Sequence, residues 1–217
     1  MITIKNLTKY YYLQRSKTLV ADNINAVFPS KKTIALLGRN GAGKSSLLRM
    51  IAGTMLPSSG DIEIKGTMSW PVGFAGSFHA DLSGAQNTNF IARVYGVDTN
   101  ELCEYVQDFA ELGQHFYLPV RSYSSGMRSR LAFGISMGIR FDTYLVDEVT
   151  SVGDAAFRRK SRDVFVDRMR TSGAVIVSHD LGLIKSICDH AAVLEKGQMM
   201  YFKDVDEAIS LHKELML

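Results

Sequence analysis

Cysteine is scarce. Only Cys103 and Cys188 occur in 217 residues, far apart and without the spacing of a metal site or a disulfide framework. A stapled secreted scaffold and a zinc module are excluded, and two packed thiols in a reducing compartment are expected. Proline is scarce as well, at four residues, and no Pro/Gly/Ser-rich stretch is long enough to separate independent domains. There is no apolar run of about 18 residues. The longest charge-free stretch, Gly66 to Ala80, is broken by Thr67, Ser69, Pro71, Ser77 and three glycines. The N-terminus reaches Lys5 without an apolar run or a cleavage site, so no signal peptide is read and a cytoplasmic protein is expected. A surplus of one charge sign is missing too: 25 basic against 22 acidic side chains leave +3, too little to argue for a nucleic-acid partner. What remains is ordinary, 46% hydrophobic and 22% charged, in a length that suits one large domain or two lobes on one chain.

The hydrophobic pattern then divides the chain. Residues 2 to 4 and 24 to 28 alternate polar and apolar side chains, as half-buried antiparallel strands do. TIALL at 33 to 37 and AVIV at 174 to 177 are continuous apolar runs, as in strands covered on both faces, so a mixed sheet is expected. Residues 86 to 113 change to helical spacing (Phe90, Ile91, Val94; Leu102, Tyr105, Val106, Phe109), with stops expected at Gly96 and Gly113. Asp204 and Glu207 have capping-box spacing, and Val205, Ala208, Ile209 and Leu211 follow on one face, which predicts a closing amphipathic helix.

Four short segments carry the chemistry. Gly38, Arg39, Asn40, Gly41, Ala42, Gly43, Lys44 and Ser45 form G-x-x-x-x-G-K-[ST] between an apolar strand and a helical pattern, with Ser46 next in line. By chance this pattern arises in roughly one chain of this length in a hundred. Its glycines let successive N–H groups turn toward a phosphate, Lys44 suits β- and γ-phosphates, and Ser45 suits Mg²⁺. YLVDE at 144 to 148 is an apolar strand ending in two carboxylates: Asp147 for the Mg²⁺ shell and Glu148 as proton acceptor for an attacking water. His179 follows the buried strand AVIVS and falls with Gly38 and Asp147 at strand carboxyl ends, where parallel α/β sheets gather ligands. His79, His115, His190 and His212 have no such placement and read as surface or packing residues. Finally Tyr123, Ser124, Ser125, Gly126 and Met127 open an apolar helical run, a second anion-binding helix start for which a kinase or GTPase has no need.

In the order GRNGAGKS, YSSGM, YLVDE, SVGD and SH, the chain resembles the ATP-binding cassette of ABC transporters over essentially its whole length. The resemblance implies an α/β P-loop NTPase cassette with a mixed core sheet, an antiparallel β part and a helical insert. It implies a single nucleotide-binding domain over 1–217, a RecA-like core with a helical subdomain at about 86–140. ATP and Mg²⁺ are its expected cofactors. Two copies would pack head to tail, with each ATP between the phosphate loop of one and the signature helix of the other. The family pattern makes Ser124, Ser125, Gly126 and Met127 the signature and Ser151 to Asp154 the D-loop at the dimer contact, with the four signature residues and Asp154 among the nucleotide-binding residues. It makes His179 the switch histidine, and Tyr11, between Tyr10 and Tyr12, the aromatic on adenine. Two motifs depart from the pattern. Leu-Ser-Gly-Gly-Gln is replaced by Tyr-Ser-Ser-Gly-Met, and Phe74 or a neighbour stands where the glutamine loop has its Gln.

SWPVG, ELGQHFYLPV, YSSGMRSRLAFG and YLVDEVTSVGDAAF are similar to the ATPase subunit of bacterial capsular polysaccharide exporters. O-antigen exporters often add a carbohydrate-binding domain after the cassette, so an end at Leu217 favours the capsule type. This implies a peripheral protein on the cytoplasmic face of the inner membrane, with an integral membrane permease docked near 70 to 95 and the polysaccharide export machinery as partners. No nucleic acid is expected. The alternatives are export of O-antigen or teichoic-acid glycans, or a soluble ABC ATPase on nucleic acid or the ribosome, which usually has two cassettes or a coiled-coil insertion. A P-loop kinase leaves YSSGM and His179 without a task, and the basic cluster Arg158, Arg159, Lys160 and Arg162 reads as a solvated helix face.

Overall fold

Apolar alternation near the N-terminus produces a long antiparallel hairpin, β1 (Ile2–Leu13) and β2 (Ser16–Phe28), in which Ile2, Ile4, Leu7, Ala21, Ile24 and Phe28 are buried. The strands extend past the predicted 2–4 and 24–28 because Tyr10, Tyr11 and Tyr12 pair onward with Leu19, Thr18 and Lys17. The chain continues through β3 (Thr33–Leu37), α1 (Lys44–Ile51), β4 (Ser59–Ile64), β5 (Met68–Pro71), α2 (Gly84–Tyr95), α3 (Thr99–Ala110) and α4 (Ser125–Gly138). Then follow β6 (Thr143–Asp147), α5 (Ala155–Met169), β7 (Gly173–Val177), α6 (Leu181–Ile187), β8 (His190–Glu195), β9 (Gln198–Phe202) and α7 (Val205–Met216). This computed structural model describes residues 1–13, 16–73, 76, 78–147 and 154–216. Among them no helix is long and apolar enough to cross a membrane.

The chain divides into two compact units, Met1–Ser69 with Phe141–Glu148 and Met169–Leu217, and Trp70–Arg140 with Val149–Arg168. The helical stretch expected at 86–140 lies within the second.

One sheet, in the first unit, has the order β2-β1-β4; the other has the order β5-β6-β7-β3-β8-β9, in the first unit apart from the last two residues of β5. Strands β6, β7, β3 and β8 run parallel and β9 returns antiparallel, so the larger sheet is mixed. β3 and β7 are buried at every residue, which is why their sequences read as unbroken apolar runs. Period-two geometry splits β3 between two cores. Ile34 and Leu36 join Leu47, Leu48 and Ile51 of α1 under the hairpin sheet, whereas Ala35 and Leu37 join Ile184, Ala208 and Ile209 of α6 and α7. Around Asp142, just before β6, the carboxylate accepts the Thr67 amide at 2.8 Å and the Thr67 hydroxyl at 3.0 Å. These bonds hold its pKa below the usual carboxylate value, 3.8. A depressed folded pKa stabilises fully above the unfolded value, and the gain is lost as pH falls through the folded one. Asp142→Ala is therefore expected to flatten the acid side of the stability profile; thermal melts from pH 6 down to about 3 should show wild type and variant converging at the acid end.

In the second unit, Ser83 and Gln86 form a reciprocal capping box on α2, and Gly96 ends it in the left-handed conformation. Asp98 caps α3. A Cβ on Gly138 would come 2.5 Å from the Leu102 side chain, so this glycine permits α4 to lie close against α3. The predicted stop at Gly113 is corrected: α3 ends at Ala110, Glu111 takes the left-handed turn (φ 53°), and Gly113 opens a 3-10 turn. The cause is tertiary. Lys160 of α5 donates to the carbonyls of Asp108 and Phe109 at 3.4 and 3.2 Å and pairs with Glu111 at 2.6 Å, giving the helix end the cation it favours.

Candidate functional site

The loop after β3 requires its glycines and is braced by its own lysine. Gly43 has φ 102°, and a Cβ there would strike the Val20 side chain, so both the backbone and the neighbour require glycine. Val20 reaches the loop because it is the extra residue between the pairs Lys9–Ala21 and Tyr10–Leu19, a bulge that redirects its side chain. Gly41 has φ 82° and open space where a Cβ would stand, which lets a ligand approach the backbone. Lys44 donates from Nζ to the carbonyls of Gly38 at 2.7 Å and Arg39 at 3.0 Å, bracing the curl from within. Among the described residues, α2 through α7 each have a Ser or Asp oxygen on a first-turn amide. α1 has no side-chain cap and no acidic residue in its first turn. Its start thus carries no capping side chain, an arrangement suited to an anion, with exposed Ser45 and half-buried Ser46 beside it.

Strands β6, β7 and β3 are neighbours and parallel, so Asp147, His179 and Gly38 end on one edge of the sheet. Adjacent strands lie about 4.8 Å apart, which puts all three within the reach of a bound polyphosphate. Asp147 is half-buried and His179 is exposed. Glu148 lies outside the described residues, as do Ser151, Val152 and Gly153 of the expected D-loop and Phe74 of the loop lacking its glutamine. His212, read from the sequence as surface or packing, has a buried Nδ1 with no hydrogen-bond partner. Burial and the positive charges of Lys44 and His179 hold its pKa below the ordinary histidine value, which associates α7 with this edge. The apolar face of α7 gave no signal of it, since that pattern records packing on the sheet alone.

Among the three tyrosines, Tyr10 and Tyr12 meet edge to face at 5.4 Å and Lys17 covers Tyr10. Tyr11 is separate from that pair: its hydroxyl donates to the Met55 sulfur at 3.0 Å and Lys9 lies over its ring.

In the second unit Ser124 is the N-cap of α4, its hydroxyl accepting the Met127 amide at 3.2 Å, with Ser125 and Gly126 in the first turn. Buried Tyr123 anchors this start by donating to the His115 carbonyl at 2.6 Å. A recess of ≈ 500 Å³ opens beside it, lined by Ser124, Gly126, Met127, His115, Arg130 and Asp154 among others. Arg130 was not singled out in the sequence, and it pairs with Asp154 at 2.6 Å. The Phe157 amide first, and Arg130 after it, hold the Asp154 carboxyl below its usual value despite the opposing effect of desolvation. Elsewhere in this unit, Phe90 and Val94 stand one helical turn apart on α2, each 61% exposed, and Trp70 packs on Tyr95 at 5.0 Å.

The family profile described as ABC transporter matches residues 21–151. The polysialic acid transport ATP-binding protein KpsT of Escherichia coli is 48% identical over 217 residues, covering 99% of each chain. The capsule polysaccharide export ATP-binding protein CtrD of Neisseria meningitidis serogroup B is 40% identical over 215 residues, covering 99% of this chain and all of CtrD. Among solved structures, the dimeric post-hydrolysis state of an ATP-binding cassette bound to ADP and Pi superposes with a TM-score of 0.75. It is 18% identical and covers 93% of this chain and 98% of that one, a likeness of fold.

Proposed function

This chain belongs to the ABC transporter family, and from that premise we propose that it is the ATP-hydrolysing subunit of a bacterial capsular polysaccharide exporter. The observation that carries the reading is likeness along 99% of the chain to an ATP-binding protein of capsule export. The protein works as a head-to-tail pair, peripheral on the cytoplasmic face of the inner membrane, with a separate integral membrane permease.

ATP enters with its β- and γ-phosphates against the amides of Gly41 to Ser46 and the Lys44 ammonium, and its adenine against Tyr11. The Ser45 hydroxyl and the Asp147 carboxylate suit Mg²⁺, and the uncapped start of α1 suits the phosphates that accompany it. Held by these two residues, the ion would supply positive charge to offset that of the β- and γ-phosphates. Glu148 takes the proton of the attacking water, and His179 holds a γ-phosphate oxygen from the neighbouring strand end. Ser124 and the first amides of α4 come from the second copy. The altered signature keeps this function, because the serine oxygen and backbone N–H groups remain although Met127 has lost the glutamine amide.

Exposed Phe90 and Val94 on α2, with exposed Gly76 and half-buried Phe78 before it, supply a surface for the permease. A strain lacking only its own capsule-export ATP-binding subunit is the test. Expression of this chain with its cognate permease should restore surface polysaccharide, and Lys44→Ala should not. ATP hydrolysis without restored polysaccharide would overturn the export reading.

A further inference from the structure

We propose that Arg130 and Asp154 form a positioning clamp that makes the signature helix and the end of the D-loop move as one piece, an inference that rests on the head-to-tail reading above. Asp154 is the first described residue after the segment 148–153, and its carboxylate has two partners in its own subunit. One oxygen accepts the Phe157 amide at 2.9 Å and caps α5. The other accepts from Arg130 of α4 at 2.6 Å.

Arg130 is held on three sides. Its guanidinium also approaches Glu111, the left-handed residue at the end of α3, at 3.7 Å, and it lies 4.4 Å from the centre of the Phe157 ring. Glu111 in turn pairs with Lys160 of α5 at 2.6 Å. Exposed ion pairs contribute little because two mobile side chains must be ordered in water. This arginine is 19% exposed, forks between two carboxylates and stacks on an aromatic, so its geometry is set before the carboxylates bind.

The consequence is mechanical. Ser124 stands six residues before Arg130 on the side of α4 that opens the recess, and Arg130 and Asp154 form part of the wall of that same recess. The nucleotide on the partner must meet the α4 start and the D-loop end together. Arg130 fixes the spacing between them within one subunit, so one approach of the partner aligns both. Asp154 therefore serves through its tie to α4, with its carboxylate turned to its own subunit and away from the role of a nucleotide ligand.

Asp154→Asn is the discriminating variant. Asparagine caps a helix as well as aspartate does, so α5 keeps its start while the charge opposite Arg130 is removed. Arg130→Ala and Asp154→Asn should each lower kcat on the order of 10- to 100-fold, the cost of displacing a catalytic group by about 1 Å. ATP binding by the monomer should stay at its wild-type Kd. The double variant should be no slower than Arg130→Ala alone, because both changes remove one interaction. Arg130→Lys should recover only part of kcat, since an ammonium cannot fork two carboxylates. Wild-type kcat in Asp154→Asn, or losses in the two variants that multiply in the double, would overturn the clamp. A fall in melting temperature with kcat per folded molecule unchanged would overturn it too, by reducing the pair to a structural one. If Arg130→Ala does not fold, Asp154→Asn decides alone. Wild-type protein that hydrolyses ATP without forming an ATP-dependent dimer would instead overturn the head-to-tail reading, and this inference with it.

Discussion

Glu148→Gln protein is expected to bind MgATP, close into a dimer and remain there. The amide keeps the size and hydrogen bonding of the carboxylate and cannot take a proton at neutral pH. Loss of a general base costs roughly 10²–10⁴-fold in rate, about 3 to 5 kcal/mol of barrier, with the binding groups untouched. Lys44, the amides of α1 and Asp147, the groups proposed to bind MgATP, are left in place by the substitution. Gel filtration with MgATP should show the variant eluting as a dimer for hours, while wild type returns to monomer as ATP is consumed. Hydrolysis by the variant at the wild-type rate would remove Glu148 from the mechanism and leave His179 as the leading candidate for the base.

Lys44→Ala should abolish nucleotide binding at ordinary concentrations. Charge-assisted hydrogen bonds contribute about 1.5–3 kcal/mol each, so losing those to two phosphates weakens binding on the order of 10²–10⁴-fold. The structure adds a second cost. Nζ also ties the carbonyls of Gly38 and Arg39, so the truncated loop loses the brace that holds its curl open toward a ligand. α1 has no cap to compensate. Titration of a fluorescent ATP analogue, with circular dichroism to confirm the fold, measures the loss. Unchanged affinity would overturn the assignment of the phosphate loop.

The two variants also separate binding from turnover. Lys44→Ala should elute as a monomer whatever the ATP concentration, and Glu148→Gln as a dimer only when ATP is present. Mixed in equal amounts, they should hydrolyse no ATP, because Lys44 and Glu148 serve the nucleotide on their own subunit and every site in the mixture lacks one of the two.

The sequence by itself determined whatever is written in consecutive residues. TIALL and GAVIV are buried at every position because a strand covered on both faces has no polar side to display. GRNGAGKS was legible as a phosphate-loop pattern, since the glycines, the lysine and the helix start that the pattern requires all fall within eight residues. The order of the strand ends carrying Gly38, Asp147 and His179 was legible for the same reason: each motif follows its own apolar strand, and parallel strands open their carboxyl ends on one edge. Tertiary structure decided what depends on residues distant in the chain. The end of α3 passed over Gly113 because Lys160, 49 residues after Glu111, supplies the cation that a terminal turn of any composition can use. Val20 reaches the phosphate loop only through a register shift against β1, which no alternation pattern encodes. Arg130 and Asp154 are 24 residues apart, each unremarkable in its own segment, and meet because α4 and α5 pack around Phe109, which stacks on Phe133 and meets Phe157 edge to face. Local pattern records which face of an element is apolar. Which charged side chains meet across those faces is settled only when packing has brought the elements together, because a pairwise interaction depends on distance in space and leaves no periodic trace along the chain.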